Sequence, residues 1–265
     1  TKKILSVALA STMVLSLAAC GGKSTTETTQ AAAETTAAAE SSAAETTAEA
    51  DGFNLAVCLA SEPQTMDPAL NSTVDGAIMT QHMFEGLAKY VNDGNGNAQI
   101  VAGQAESWEK VVNDDGTVTY TFKMRPDAKW SDGQKVTAGD FEYSWKRLAN
   151  PQTAADYTYM IDMVKGYQEI QDGADPDTLE ITLSYDCPYF EDVLAFPATL
   201  PVRQDVVEGN DEWTYDPSTY ITNGAYKLVE WSHNAYILTE KNPEYYDYAN
   251  LGPDTIKYTL LDDAN

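Results

Sequence analysis

Histidine is almost absent from this chain: His82 and His233 are the only two. A hydrolase built on a histidine base would have to use one of them, and no Gly-x-Ser-x-Gly elbow is present to serve it. Cysteine is equally scarce. Cys20, Cys58 and Cys187 show none of the paired spacings of a zinc site. Cations are few as well, with 16 Lys and Arg against 41 Asp and Glu and a formal charge of −25, which argues against nucleic acid or an anionic lipid surface as a ligand. The many carboxylates show no spacing that singles out an acid and base pair. Gly22-Lys23-Ser24 lacks the upstream glycine and the preceding strand of a phosphate loop. Asp93-Gly94-Asn95-Gly96-Asn97 imitates a calcium loop, but Ala98 stands at the glycine position and Gln104 at that of the bidentate glutamate. A turn is the better reading.

What is present begins with Lys2 and Lys3 ahead of an apolar stretch from Ile4 to Ala19, 16 residues interrupted by Ser6, Ser11, Thr12 and Ser16. That is short of the roughly 20 apolar residues a spanning helix needs, and a positive start with small residues before a cut site is a secretory signal. The closing Leu17-Ala18-Ala19-Cys20 resembles the lipobox of bacterial lipoproteins. That resemblance implies a signal peptide over 1–19 and lipidation of Cys20 as the first mature residue. The chain opens on Thr1 and not Met, so at least the initiator is expected to precede it. From Ser24 to Ala50 only Ser, Thr, Glu, Gln and Ala occur. Alanine methyls bury too little area to offset the entropy of ordering, and the glutamates repel one another. Residues 20–51 therefore read as the lipid site plus a disordered tether.

From residue 52 onward the composition is globular, with all five tryptophans and periodic apolar runs. Phe53–Leu59 reads as a strand, followed by a loop held open by Pro63 and Pro68. After Ser72 and Thr73, either of which can cap, Ile78, Met79, His82, Met83 and Leu87 fall on one helical face. Asn113-Asp114-Asp115-Gly116 marks a hairpin whose second strand buries Val118, Tyr120, Phe122 and Met124. Thr137 and Asp140 form a capping-box-like start to a helix carrying Phe141, Trp145 and Leu148 and closed by Asn150-Pro151. Leu179, Ile181 and Leu183 alternate as a strand, and Tyr226–Trp231 pairs with Tyr236–Thr239 around Ser232-His233-Asn234. Asn71-Ser72-Thr73 fits a glycosylation sequon, disregarded in a bacterial lipoprotein. Cys58 and Cys187 either pair outside the cytoplasm or remain as two small buried thiols.

Several segments together resemble one family. Ser61-Glu-Pro-Gln-Thr-Met-Asp-Pro68, Met83-Phe-Glu-Gly-Leu87, Ala105-Glu-Ser-Trp108, Tyr120–Arg125, Lys129–Gly133, Val136–Phe141, Tyr143–Arg147, Asp177–Leu183, Pro188–Phe190 and Thr222–Leu228 follow in the order found in solute-binding proteins of family 5. These are the oligopeptide- and dipeptide-binding lipoproteins of bacterial ABC importers. The resemblance spans nearly all of 52–265 and implies an α/β, periplasmic-binding-protein-like type II fold. It implies only the first lobe, with 52–84 and 203–265 as its sheet-bearing core and 85–202 as an inserted subdomain; the second lobe would lie beyond residue 265.

By the same resemblance the function is capture of extracellular oligopeptides between two closing lobes and delivery to a membrane permease. Neither a cofactor nor a metal is implied, and the partners are a peptide, the ABC permease subunits and the membrane through the lipid anchor. The implied location is the outer face of the cell membrane. Ser72, Thr73 and Val74 match the extended segment that offers main-chain bonds to the peptide, and Tyr157 matches an aromatic that contacts it. Phe196 falls where some relatives carry a polar pocket residue, a departure that removes the ground for expecting a preference for acidic or carboxylate-ended ligands. Each has a plainer reading too: caps for Ser72 and Thr73, core packing for Tyr157 and Phe196. The carboxylate that holds the peptide amine in relatives is expected beyond residue 265. Two other function classes stand beside this one. The same scaffold accepts nickel chelates, oligosaccharides or signalling peptides, and an extracytoplasmic carbohydrate hydrolase would need a catalytic carboxylate that no spacing reveals.

Overall fold

The computed structural model describes residues 52–165 and 178–261. The signal segment, Cys20 and the tether lie outside them. Strand β1 (Asn54–Leu59) is followed by helix α1 (Val74–Met83), the hairpin β2 (Ala88–Asn92) and β3 (Ala98–Ala102), the hairpin β4 (Ala105–Val112) and β5 (Val118–Met124), and helix α2 (Ala138–Ala149). Then come β6 (Thr178–Leu183), β7 (Tyr226–Ser232), β8 (Tyr236–Lys241) and β9 (Thr255–Leu260).

The strands form three sheets. One has the order β1-β9-β8-β7 and draws on both ends of the described chain. Its β1 and β9 run parallel, in register from Asn54↔Thr255 to Leu59↔Leu260, while β9, β8 and β7 are antiparallel. The other two, β2-β3 and β4-β5-β6, are antiparallel and come from residues between 88 and 183.

Strand β5 behaves as its alternation predicts, with Val118, Tyr120, Phe122 and Met124 buried. It lies between β4 and β6 and presents Tyr120 to Phe190, ring centroids 4.8 Å apart; Trp145 of α2 meets the same ring edge-on at 6.3 Å. Helix α2 begins as expected, with the Thr137 amide donating to Asp140 Oδ2 at 2.8 Å. Its Phe141, Trp145 and Leu148 are buried.

Helix α1 departs from expectation. Its buried residues are Gly76, Met79, Thr80 and Met83, an i, i+3, i+4, i+7 set. Ile78 and His82 are half-buried, and Leu87 lies beyond the helix. The helix stops at Met83 because Phe84 is extended (φ −126°, ψ 156°) and Gly224 crosses this turn, its amide bonding to the Met83 carbonyl at 2.9 Å. A Cβ on Gly224 would come within 2.6 Å of the Met83 carbonyl carbon, so only glycine allows this approach. Asn223 completes the joint: its side chain accepts from the Glu85 amide at 3.1 Å and donates to the Glu85 carbonyl at 2.9 Å.

The two cysteines among the described residues, Cys58 and Cys187, are free. Cys187 is buried as expected of a small thiol, but Cys58 is exposed, which corrects the reading of two buried thiols. Cys58 sits on β1, the outermost strand of its sheet, where one edge and much of both faces lack a neighbour among the described residues.

Candidate functional site

The site is set by how the loop after β1 is fastened before α1 begins. Asp67 organises it from within. Its carboxylate accepts from the Ala69 amide at 3.0 Å, and its carbonyl takes the Leu70 and Asn71 amides at 3.2 and 2.9 Å. From outside, Arg147 of α2 grips both Asp67 carboxylate oxygens, at 2.9 and 2.6 Å, with Asp67 almost fully buried. Burial alone would lower the Arg147 pKa, but the bonded carboxylate more than offsets that and raises it. Tyr220 adds a bond from its hydroxyl to the Met66 carbonyl at 2.6 Å. A paired charge on two rigid supports fixes the loop where an exposed ion pair would not.

Asn71 then shapes the next three residues. Its Oδ1 accepts from the Thr73 amide and its Nδ2 donates to the Thr73 carbonyl, each at 3.1 Å. Thr73 is extended (φ −108°, ψ 153°) and its hydroxyl accepts from the Gly76 amide at 3.2 Å. Thr73 is thus the N-cap, so the plainer reading holds for its side chain. Ser72 is not a cap. It is exposed, and its amide, carbonyl and hydroxyl have no protein partner among the described residues. The Val74 amide, first of the helix, is unpaired there too. The Val74 side chain is 76% exposed.

Beside this segment lies a pocket of about 140 Å³, lined by residues 71–74, Ala77, Tyr157, Phe196 and Pro197. All five residues assigned to a ligand by resemblance, Ser72, Thr73, Val74, Tyr157 and Phe196, therefore meet on one cavity. Tyr157 and Phe196 are packed edge to face, centroids 5.2 Å apart and planes at 80°. Both rest on the core while keeping a partly open face, so packing and pocket lining are compatible roles. The Phe196 wall is tied to α2 through Thr199, whose hydroxyl bonds to the Val193 and Phe196 carbonyls and whose carbonyl accepts from Trp145 Nε1 at 3.0 Å. No charged side chain lines the pocket.

Sequence reasoning passed over four residues that matter here. Asn71 reads in the sequence only as part of a sequon, although Asn before Ser-Thr at a helix start is a signal for a side-chain turn. Asp67 and Arg147 are 80 residues apart, and nothing local announces their pairing. Tyr159, 59% exposed and 5.9 Å from Tyr157, extends the aromatic wall outward.

The histidines have structural settings. His82 Nδ1 is 2.7 Å from the Tyr258 hydroxyl, and burial lowers its pKa. His233 pairs with Glu62 at 2.6 Å beside Trp231. Among the described residues no group of three or more His, Cys, Asp or Glu gathers around a metal-sized site, and no helix is long and apolar enough to cross a membrane.

Comparison with known proteins gives one consistent result. The family model for bacterial extracellular solute-binding proteins, family 5 Middle, matches residues 99–265. The chain is 39% identical over 212 residues to the periplasmic oligopeptide-binding protein OppA of Salmonella typhimurium, covering 75% of this chain and 37% of that protein. It is 32% identical over 216 residues to the dipeptide-binding protein DppE of Bacillus subtilis, covering 77% and 38%. The structure of Haemophilus influenzae OppA in complex with RPPGFSPFR superposes with a TM-score of 0.71 at 31% identity, over 80% of this chain and 42% of that one. The chain spans about two-fifths of the length of the relatives it matches. The shared architecture is the periplasmic-binding-protein-like type II α/β fold, of which these residues carry first-lobe structure. A matched family model over most of the chain, relatives at this identity and a common fold together place it: the chain belongs to the bacterial extracellular solute-binding proteins of family 5.

Proposed function

We propose that this chain is the first-lobe portion of a substrate-binding lipoprotein of an ABC importer that captures oligopeptides. The observation that carries the reading is the set of main-chain groups at Ser72 and Val74, on either side of the extended Thr73, that have no partner among the described residues and stand at the edge of an uncharged pocket. Such a segment bonds an extended peptide through backbone groups common to every sequence, while side chains enter adjoining space. The relatives named for oligopeptides and dipeptides support the same ligand class. In this reading 52–84 and 203–265 form the lobe's core and 85–202 an inserted subdomain. The complete protein closes two lobes over its ligand, acts by binding without a cofactor, and hands the peptide to the membrane permease. Cys20 carries the lipid, and residues 20–51 tether the domain to the outer face of the cell membrane.

The test is native mass spectrometry of the protein made from its complete reading frame, with denaturing release of whatever co-purifies. A family of peptides differing in side chains supports backbone-led capture. A single sugar or a metal chelate rejects it in favour of another solute on the same scaffold. The anchor is checked separately: Cys20→Ser should abolish incorporation of a labelled fatty acid and release the protein from membranes.

A further inference from the structure

We propose that the pocket bounded by Val74, Ala77, Tyr157, Phe196 and Pro197 is a side-chain subsite that selects one uncharged apolar residue of the bound peptide, up to about the size of a phenyl ring. The inference rests on the peptide reading above and adds a selectivity to it. Size is the first argument. The cavity measures about 140 Å³, and an apolar protein cavity of roughly 150 Å³ accepts a benzene molecule. A leucine, isoleucine, methionine or phenylalanine side chain matches that space, whereas glycine or alanine leaves most of it to water.

Charge is the second argument. Among the described residues the walls carry no ionised group, and the α2 cations Arg147 and Lys146 are committed, to Asp67 and Glu142. Once the peptide main chain occupies the free Ser72 and Val74 groups, a carboxylate or ammonium entering the pocket would lose hydration and gain no partner. Geometry is the third. The unpaired Ser72 groups lie on the rim of this pocket, and side chains of an extended peptide alternate in direction. Pairing at Ser72 therefore delivers one particular residue into the cavity and sends its neighbours elsewhere. The edge-to-face Tyr157–Phe196 pair keeps the cavity's shape fixed.

The experiment is calorimetric titration of the complete protein, stripped of co-purified ligand, with three tripeptide series in which one residue at a time of Ala-Ala-Ala is replaced by Leu, Phe, Asp or Lys. At one position Leu and Phe should bind roughly tenfold or more tightly than Asp or Lys, while the other positions vary by no more than about threefold. Ala77→Leu fills the cavity from a helical position that leucine suits. It should remove the advantage of the Leu and Phe peptides over Ala-Ala-Ala, with a thermal melt confirming the fold. Equal affinity for all side chains at every position overturns the subsite and leaves peptide capture standing. So does a ranking that Ala77→Leu fails to change. Failure of the stripped, folded protein to bind any peptide of the series overturns the peptide reading and the subsite together.

Discussion

Two polar regions of this molecule are built on opposite plans. Around Glu85 the polar arms converge on one carboxylate, and only Gln104 Oε1 is left buried without a partner among the described residues. One carboxylate oxygen accepts from Gln104 Nε2 at 3.2 Å and the Tyr246 hydroxyl at 2.7 Å, and the other from the Tyr245 hydroxyl and Lys89 Nζ. Arg125 stacks over the Tyr246 ring at 4.1 Å. Burial would lower the Lys89 pKa, but Glu85 and Tyr246 outweigh it and raise it. Burial also pushes the Tyr245 phenol far above its ordinary range. Around Ser72 the supports are just as ordered, yet its amide, carbonyl and hydroxyl have no partner among the described residues. Bonds closed among protein groups hold a fold together, while bonds left open on a rigid rim are available to a ligand.

The sharpest way to break this contrast is Glu85→Ala. It strands Lys89, two phenols and Gln104 in a buried setting, and should cost about 3–5 kcal/mol in a denaturant titration while leaving the ranking of ligands by the folded fraction unchanged. Asp67→Ala comes next, because it frees Arg147 and the Ala69 amide at once. A loss of about 2–4 kcal/mol is expected, now with ligand affinity falling as well, since the Ser72 segment loses its anchor.

Val74→Pro separates the two plans more finely. Thr73 already has the extended geometry that a residue before proline requires, and Val74 is the first helical residue, where proline is tolerated. Stability should stay within about 0.5 kcal/mol. Loss of one amide donor should weaken peptide binding by about 1 kcal/mol, roughly fivefold in Kd. A full-strength affinity in calorimetry would show that this amide makes no bond to the ligand.

The smallest effect concerns pH. Burial lowers the pKa of His82 from its ordinary 6.5, so the folded protein keeps the ring neutral where the unfolded chain takes up a proton. This contribution to stability is complete above pH 6.5 and is lost as pH falls through the lowered folded value. The melting temperature should therefore slope downward with acidification below that point, and His82→Gln should flatten the slope.

Much of this was legible from residues alone where the signal is local. The alternation in β5, the Thr137–Asp140 start of α2 and the Asn113–Gly116 turn all stand where their residue patterns put them. The failures are equally specific. Leu87 shares the spacing of the α1 face but not the helix, because Gly224 arrives from 137 positions away to end it. Cys58 has the residue type of a core thiol but occupies an edge strand, and edge or centre is a property of the sheet, not of the strand.

The sequence by itself determined the periodic elements, the absence of a local catalytic signature and the family, because each depends on residue types at short separation or in a fixed order. Only the tertiary structure decided that Ser72, Tyr157 and Phe196 share one cavity, that Arg147 holds Asp67, and that β1 lies parallel to β9 across some two hundred residues. Those contacts arise when packing brings distant segments together, and no local period or propensity encodes which partner a closed core will place alongside.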